Sequence, residues 1–530
     1  SCKVCLSVAC ALERVLLLKE GATIQRLSRK LLHSGFTIPE DVTVGPLDPM
    51  PEKVIQFGEG NFLRAFVDWM INRLNQKGLF HGSVVVVQPI EQGMADVLNE
   101  QDGLYTLYLR GLQDGGRTES REVITSISRA INPYREYSAF LECAHNPDLR
   151  YMVSNTTEAG IACVPEDQPM DRCPKSFPAK AAAFLYERYR HFSGDPSKGM
   201  NVLPCELIND NGTELKKVIL QYCRDWDLED GFRDWLEKDC SFYNTLVDRI
   251  VTGYPREEAE EMTQYLGYED QLIDTGEIFH LWVIEGDSAL KEELPFQKAG
   301  LHVVWTDNQQ PYRERKVRIL NGAHTMMVPA AFLYGFDTVK ECVENPVTGG
   351  LMRKGIFEEV IPVLDLPQEE TRKFAEEVLE RFANPFIRHM LLGITLNCVS
   401  KYQVRVLPSL LKYIRQNKKQ NNKMPSVLSF SMAALIIFYR STTLEGDRLI
   451  GMREEKPYPI RDDLPVLNFF AKVWEEYDRF QDPVKLTHEV LARKDFWGRD
   501  LSEVQGLEDT VAHYLSVILV LGIRKAMETV

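Results

Sequence analysis

The stretch K-V-R-I-L-N-G-A-H, Lys316 to His324, sets an amine, an amide and an imidazole close together in the chain. Those groups suit the reduction of a carbonyl. As hydride arrives, negative charge builds on the oxygen, so hydrogen-bond donors must hold it and a proton must follow. On an α-helix, at about 100° per residue, Asn321 lies roughly 140° and His324 roughly 80° around the axis from Lys316, an arc the long lysine stem can close. The same residue types also serve as a surface lysine, a capping asparagine and a packed histidine, so the triplet gains meaning only from a partner motif.

That partner lies upstream. Val54-Ile55-Gln56-Phe57-Gly58-Glu59-Gly60-Asn61-Phe62-Leu63-Arg64-Ala65 runs from an apolar segment through a glycine turn into a helix-like segment ending near Leu74. Strand, tight turn and helix in that order cradle a dinucleotide's pyrophosphate on the helix's free N–H groups. Gly58 would permit the turn and Gly60 the close backbone approach, with Asn61, Phe62 and Arg64 completing the candidate cofactor contacts. Leu63 stands where the usual third glycine would be, which weakens the motif. The next strand, Ser83 to Pro89, brings Gln88 to the place of the acidic residue that normally bonds the adenosine ribose. An amide can bond a hydroxyl but does not repel a 2′-phosphate, which leaves NAD and NADP both open.

Short β-rich runs at 84–88, 104–109, 123–131, 150–155 and 201–207 alternate with helical ones at 179–192 and from a capping box of Asn211 with Glu214 to Trp226. Two more strand-like runs follow at 279–285 and 301–307. The alternation predicts an α/β Rossmann-type N-terminal domain with a mostly parallel sheet over 52–310. From Arg315 onward, apolar residues recur at three- and four-residue spacing, which predicts an all-α C-terminal domain over 311–530. Lys316 then opens the second domain and is expected to face the first across a cleft, where ligands usually bind. Residues 1–51 read as an extension, helical to about Leu32 and then a Pro-rich linker from Pro39 to Pro51.

With 530 residues, 44% of them hydrophobic, the chain can bury a large core. Its net charge of −15 opposes binding to nucleic acid or an anionic membrane, and it requires any anionic substrate to meet a local basic pocket. Eleven cysteines without paired spacing suggest free thiols in a reducing compartment, the cytoplasm. Cys2 and Cys5 form a C-x-x-C with no second pair or histidine beside it, so no metal is expected. Lys3 with Val4 to Leu12 faintly resembles a signal peptide, but the apolar part runs directly into Glu13 and Arg14. No apolar run approaches the ~20 residues that span a bilayer.

G-E-G-N-F-L-R-A (58–65), Q-D-G-L-Y-T (101–106), V-D-R-I (247–250) and K-x-x-x-x-N-x-x-H together resemble the polyol-specific long-chain dehydrogenases, the mannitol dehydrogenase family, from about residue 52 to the C-terminus. S-N-T-T-E-A-G-I (154–161), P-C-E-L-I (204–208) and T-L-V-D-R-I-V-T-G-Y-P-R (245–256) are most similar to its hexuronate-acting branch. The resemblance implies metal-independent hydride transfer with NAD and, in that branch, reversible reduction of D-tagaturonate to D-altronate in hexuronate breakdown. It makes Lys316 the general acid in reduction and the base in oxidation, with Asn321 and His324 on the reacting oxygen. A lysine titrates near about 10.4 in water, so this role calls for burial and neighbouring cations, for which Arg313, Arg315 and Arg318 are near in sequence. One departure stands out: Leu207 follows Cys205-Glu206 where mannitol-type relatives carry an asparagine, which throws more of the oxygen's stabilisation onto Asn321.

A hexuronate adds a carboxylate that guanidinium or ammonium groups must grip, and the candidates are Arg249, Arg381 and Lys401. Asp248 would bond substrate hydroxyls or pair with Arg249. Asn155 and Glu158 follow a strand at the expected cofactor edge, the amide to reach the nicotinamide ribose and the carboxylate to relay protons near Lys316. Three other readings compete. A reductase of the same family acting on fructuronate or a neutral ketose uses the same motifs. A Rossmann methyltransferase uses Gly58 and Gly60 but gives Lys316 no duty, and a sugar or nucleotide sensor needs no proton donor.

Overall fold

The computed structural model describes residues 24–113, 115–156, 160–165, 172–417 and 423–530. The chain divides into two compact units, one of the described residues up to Gly111 with Arg117–Gln309, the other of Leu112–Gly116 with Gln310–Val530.

The first unit is built on a six-stranded sheet in the order Ser241–Phe242, Asn201–Pro204, Tyr151–Ser154, Glu52–Phe57, Ser83–Val87, Ile127–Ile131. Every neighbouring pair runs parallel. The run Val84 to Val87 explains its burial, since a strand apolar at successive positions must be covered on both faces. Val84 and Val86 pack with Trp69 and Met70, while Val85 and Val87 pack on the other side with Phe140 and Phe184. The strand order reverses at Glu52–Phe57. The chain steps outward from it to Ser83–Val87 and Ile127–Ile131, then returns to its other flank with Tyr151–Ser154. A reversal of this kind opens a crevice at the strands' C-terminal ends, where ligands of open α/β sheets bind.

Three expectations about this unit need correction. The run 123–131 is not one strand: Gly116–Ile124 belongs to a four-stranded sheet with Asp274–Gly276, Tyr105–Gln113 and Val42–Val44, and only Ile127–Ile131 joins the parallel sheet. The part of the expected extension that is described belongs to the fold. Val42–Val44 pairs in parallel with Arg121–Val123, and Leu27, Leu31 and Val42 are buried with Leu104, Tyr108 and Val123. Prolines around these few apolar residues had masked their periodicity. The capping box does not form either. Asp210 caps the helix Asn211–Asp225 in a left-handed conformation without a side-chain bond, and the Asn211 amide donates instead to the carbonyls of Pro204, Glu206 and Thr245. Cys2, Cys5 and the apolar run of the N-terminus lie outside the described residues.

The second unit is largely helical. Its interior holds Gly322–Tyr334 and Ser426–Phe438, both buried over most of their length, as expected for helices apolar all round. The all-α expectation is corrected by a three-stranded antiparallel sheet, Leu444–Glu445, Arg448–Arg453 and Lys456–Ile460. Its tight turns use Gly446 at φ 62° and Glu454 and Glu455 at φ 47° and 63°, where short loops between brief strands leave little helical or alternating signal. Among the described residues no helix is long and apolar enough to cross a membrane, and the eight cysteines are free.

Candidate active site

Lys316 to Asn321 forms a single π-helical turn between the α-helices Gln310–Arg315 and Gly322–Tyr334. The Gly322 N–H reaches back five residues to the Val317 carbonyl. The wider turn takes up one extra residue, so Lys316 and Asn321 stand nearer to one face than the roughly 140° that an α-helix would set between them. Such turns are rare and gather at functional sites. Two contacts hold this one. A Cβ on Gly322 would sit 3.2 Å from the Arg405 carbonyl oxygen, a close approach that suits glycine. Arg318 donates through Nη1 to the Val404 carbonyl at 2.9 Å. Arg318 is thereby engaged with the helix Cys398–Arg405, and Arg315 stacks over Phe374 at 4.6 Å.

His324 follows on the next turn, 5% exposed. Its ring stacks on Phe382 with centroids 4.1 Å apart and meets His389 edge-on at 5.0 Å. Among the described residues its Nε2 has no hydrogen-bond partner. A buried polar atom left unpaired costs ~1–3 kcal/mol, so it marks a place that a ligand oxygen would complete. Burial, then His389, Arg405, Arg381 and Lys401, push this histidine well below its ordinary range, which makes it a neutral imidazole with one N–H to give. Arg381 ends the helix Gln368–Phe382 beside the stacked phenylalanine and is 7% exposed. Lys401 and Arg405 stand four apart on Cys398–Arg405 and so share a face. Lys401 donates to the Ile394 carbonyl at 2.9 Å, and Arg405 Nη1 donates to Thr325 Oγ1 at 3.4 Å.

The structure brings Arg381 and Lys401, two of the residues proposed to grip a carboxylate, near His324 and adds His389 and Arg405, which sequence reasoning missed. The spacing from Lys401 to Arg405 was the available signal.

The buried imidazole carries a stability consequence. In the unfolded chain it titrates near 6.5, whereas the folded protein resists the proton. Below that pH the unfolded state binds a proton the folded state refuses, so this contribution is whole above about 6.5 and lost as pH falls. Thermal melts should show wild-type Tm declining more steeply from pH 7 to about 5 than that of His324→Asn, which has no such group to protonate.

In the first unit the glycine turn has two different glycines. Gly58 sits at φ 124°, and a Cβ there would be 2.8 Å from the Asn155 carbonyl oxygen, so the fold itself demands glycine. Gly60 is extended and a Cβ there would meet open space, which leaves room for a ligand at the backbone. We expect Gly58→Ala to lose about 1–3 kcal/mol of stability along with NADH binding, because L-residues are strained in this conformation. Gly60→Ala should melt like the wild type and lose NADH affinity alone, as read by fluorescence titration.

The helix expected to run to Leu74 is interrupted. It spans Asn61–Arg64, breaks at Ala65 and resumes over Val67–Gln76. Arg64, 1% exposed, donates to the carbonyls of Glu59 and Leu272 and to Asn61 Oδ1, bracing the turn from beneath. Arg64 and the Asn61 amide oxygen therefore position the loop. Phe62 stacks on Phe66 with centroids 5.0 Å apart. Gln88 is engaged within its own loop. Its Nε2 donates to the Ile90 and Glu91 carbonyls and its Oε1 accepts from the Ala95 N–H, tying down the loop after its strand.

Asn155 donates to the Cys205 carbonyl at 2.8 Å, and Glu158 lies outside the described residues. Glu206, which the sequence did not single out, accepts from Ser154 Oγ and from the N–H and Oγ1 of Thr156, cross-linking the loops after two adjacent strands. Leu207 beside it is exposed. Asp248 ends the strand Asn244–Asp248 and is buried. Arg249 is corrected from carboxylate grip to structural brace. It donates to the carbonyls of Phe279, Ala65 and Ile278, lies 4.2 Å over Trp69, and is pushed down by burial to about 9. The turn at Gly58, Gln88, Asn155 and Glu206 all sit at the C-terminal edge of the parallel sheet. Among the described residues no group of three His, Cys, Asp or Glu is placed to hold a metal ion.

Two domain descriptions match the sequence, the mannitol dehydrogenase Rossmann domain over residues 52–298 and the mannitol dehydrogenase C-terminal domain over 308–519. The chain belongs to the mannitol dehydrogenase family. Within the family, the altronate oxidoreductase of Bacillus subtilis (strain 168) is 46% identical over 478 residues, covering 90% of this chain and 95% of that protein. The altronate oxidoreductase of Escherichia coli O6:K15:H31 (strain 536 / UPEC) is 46% identical over 479 residues, covering 90% and 96%. Two solved structures share the family fold at 21% identity. D-sorbitol dehydrogenase in substrate-free form has a TM-score of 0.75 and covers 94% of this chain and 100% of that one. Pseudomonas fluorescens mannitol 2-dehydrogenase, in a ternary complex with NAD and D-mannitol, has a TM-score of 0.68 and covers 95% and 99%. The Rossmann domain with a largely helical C-terminal domain is thus the family architecture.

Proposed function

We propose that this chain is an NAD-dependent oxidoreductase that reversibly reduces D-tagaturonate to D-altronate. The observation that carries the reading is the buried, unpartnered His324 Nε2, set among Arg381, Lys401 and Arg405 on the helix that bears Lys316 and Asn321. Neutral imidazole and amide suit a carbonyl oxygen, and the surrounding positive charge suits a substrate that is itself an anion. The relatives named altronate oxidoreductase support that substrate class.

In the reduction, the Asn321 amide and the His324 N–H hold the carbonyl oxygen while charge grows on it, and the Lys316 ammonium gives it a proton. In the oxidation, Lys316 takes the hydroxyl proton back. Asp248 bonds substrate hydroxyls, and Arg381 and Lys401 contribute to the field around the carboxylate. Gly58 and Gly60 form the dinucleotide cradle at the point where the strand order reverses, with Asn61, Arg64 and Gln88 shaping its loops. When bound there, NADH supplies the hydride. The mannitol 2-dehydrogenase complex with NAD supports that choice of cofactor.

The test is NADH oxidation by the purified protein with D-tagaturonate, D-fructuronate, D-tagatose and D-fructose in parallel. Preferred turnover of tagaturonate supports the reading. Turnover of fructose with tagaturonate left intact would overturn it.

A further inference from the structure

We propose that Glu59 supplies the negative charge that selects NAD over NADP; this rests on the reading of the glycine turn as a dinucleotide cradle. In doubly wound sheets the adenosine ribose is received at the end of the second strand, where a carboxylate accepts from its hydroxyl and repels a 2′-phosphate. Here that strand, Ser83–Val87, is followed by Gln88, an uncharged amide bonded to the Ile90 and Glu91 carbonyls and the Ala95 N–H. The missing charge comes from the neighbouring turn. Glu52–Phe57 and Ser83–Val87 pair in parallel, so the loops that follow them emerge side by side. Glu59, between Gly58 and Gly60, reaches from the first loop to the second, where its Oε1 accepts from the Met94 N–H at 3.3 Å. A Cβ on Gly93 would collide with that oxygen and fall 2.6 Å from Gln88 Cδ, so the carboxylate and the amide flank one point of the backbone.

Glu59 is buried. Burial pushes its carboxyl up from the ordinary value, and its own N–H, the Met94 N–H and the Arg64 charge act against that push. A charge set in such surroundings is little screened, so it acts on a phosphate without touching it. The two N–H donors leave acceptor capacity on the carboxylate for a hydroxyl. The second loop adds charge of the same sign. Residues 88–96 contain no lysine, arginine or histidine, and their charged members are Glu91 and Asp96. Arg135, which approaches from the loop after the next strand, is paired with Asp96.

The experiment is fluorescence titration of the full-length wild type, Glu59→Gln, Glu59→Ala and Glu59→Asp with NADH and with NADPH, alongside thermal melts that report folding. The quantity read is the ratio of the two Kd values. The wild type should bind NADH more tightly than NADPH. Removing the like-charge repulsion should lower the ratio of the NADPH Kd to the NADH Kd by roughly 10-fold or more in Glu59→Gln and Glu59→Ala. Glu59→Asp keeps the charge and should keep the preference. A role confined to tying the two loops predicts the opposite order, because glutamine preserves both the length and the acceptor for the Met94 N–H, whereas aspartate is one methylene shorter. A ratio unchanged in both uncharged variants, or a wild type that binds the two cofactors equally, would overturn the assignment. A wild type that binds neither would instead sink the dinucleotide reading on which it rests.

Discussion

Replacing Lys316 with alanine should leave NADH affinity nearly intact and lower turnover of the keto-acid by ~10² to 10⁴, the usual loss for a proton-transfer group. The expectation rests on position. Lys316 opens the π turn that Asn321 closes, and the proposed reading puts the ammonium and the amide on the same oxygen. The glycine turn at Gly58 and Gly60, proposed to hold the dinucleotide, belongs to the other compact unit, at the edge of its parallel sheet. Fluorescence titration with NADH and steady-state rates over a range of pH read the two quantities separately. The variant should also lose the pH dependence that the lysine imposes on kcat. Full activity in Lys316→Ala would remove the lysine from the mechanism and leave water or another group as the proton source.

The second large effect should come from Asn321. Converting it to alanine removes a donor aimed at the oxygen as it becomes negative, a loss typically worth ~10² to 10³ in kcat. The Leu207 side chain has no donor to offer, so on the proposed reading Asn321 carries more of that charge. Because the contact strengthens as charge develops, KM should move little while kcat falls. Stopped-flow measurement of the hydride step would show the loss in that step. A variant that raised KM and preserved kcat would mean that Asn321 binds ground-state substrate only.

What the sequence made legible followed from local pattern. The valines at 84–87 announced a strand covered on both faces, the glycine turn after Phe57 announced the sheet's edge, and the spacing beyond Arg315 announced helices. Contacts between distant segments were not legible. Arg405 meets Thr325 across 80 residues of chain, and no local periodicity records that meeting. Arg249 and Gln88 had the right chemistry for a ligand, but packing directed both onto backbone carbonyls, where buried donors must be satisfied. The small sheet near Arg448–Arg453 and the strand Val42–Val44 escaped because brief strands between turns carry too few alternating positions to stand out. The π turn escaped for a subtler reason. Hydrophobic spacing of three and four residues is shared by an α-helix and by one that carries a single wider turn.

That wider turn takes up one residue more than a regular helix needs. Excising it would leave the lysine and the asparagine four apart and the histidine seven apart, at about 40° and 20° from one line of an ordinary α-helix. A chain with the spacing K-x-x-x-N-x-x-H would then present the same three groups on one face without any π turn. Sequence comparison that penalises a one-residue gap here would separate two chains whose helices offer the same set of side chains.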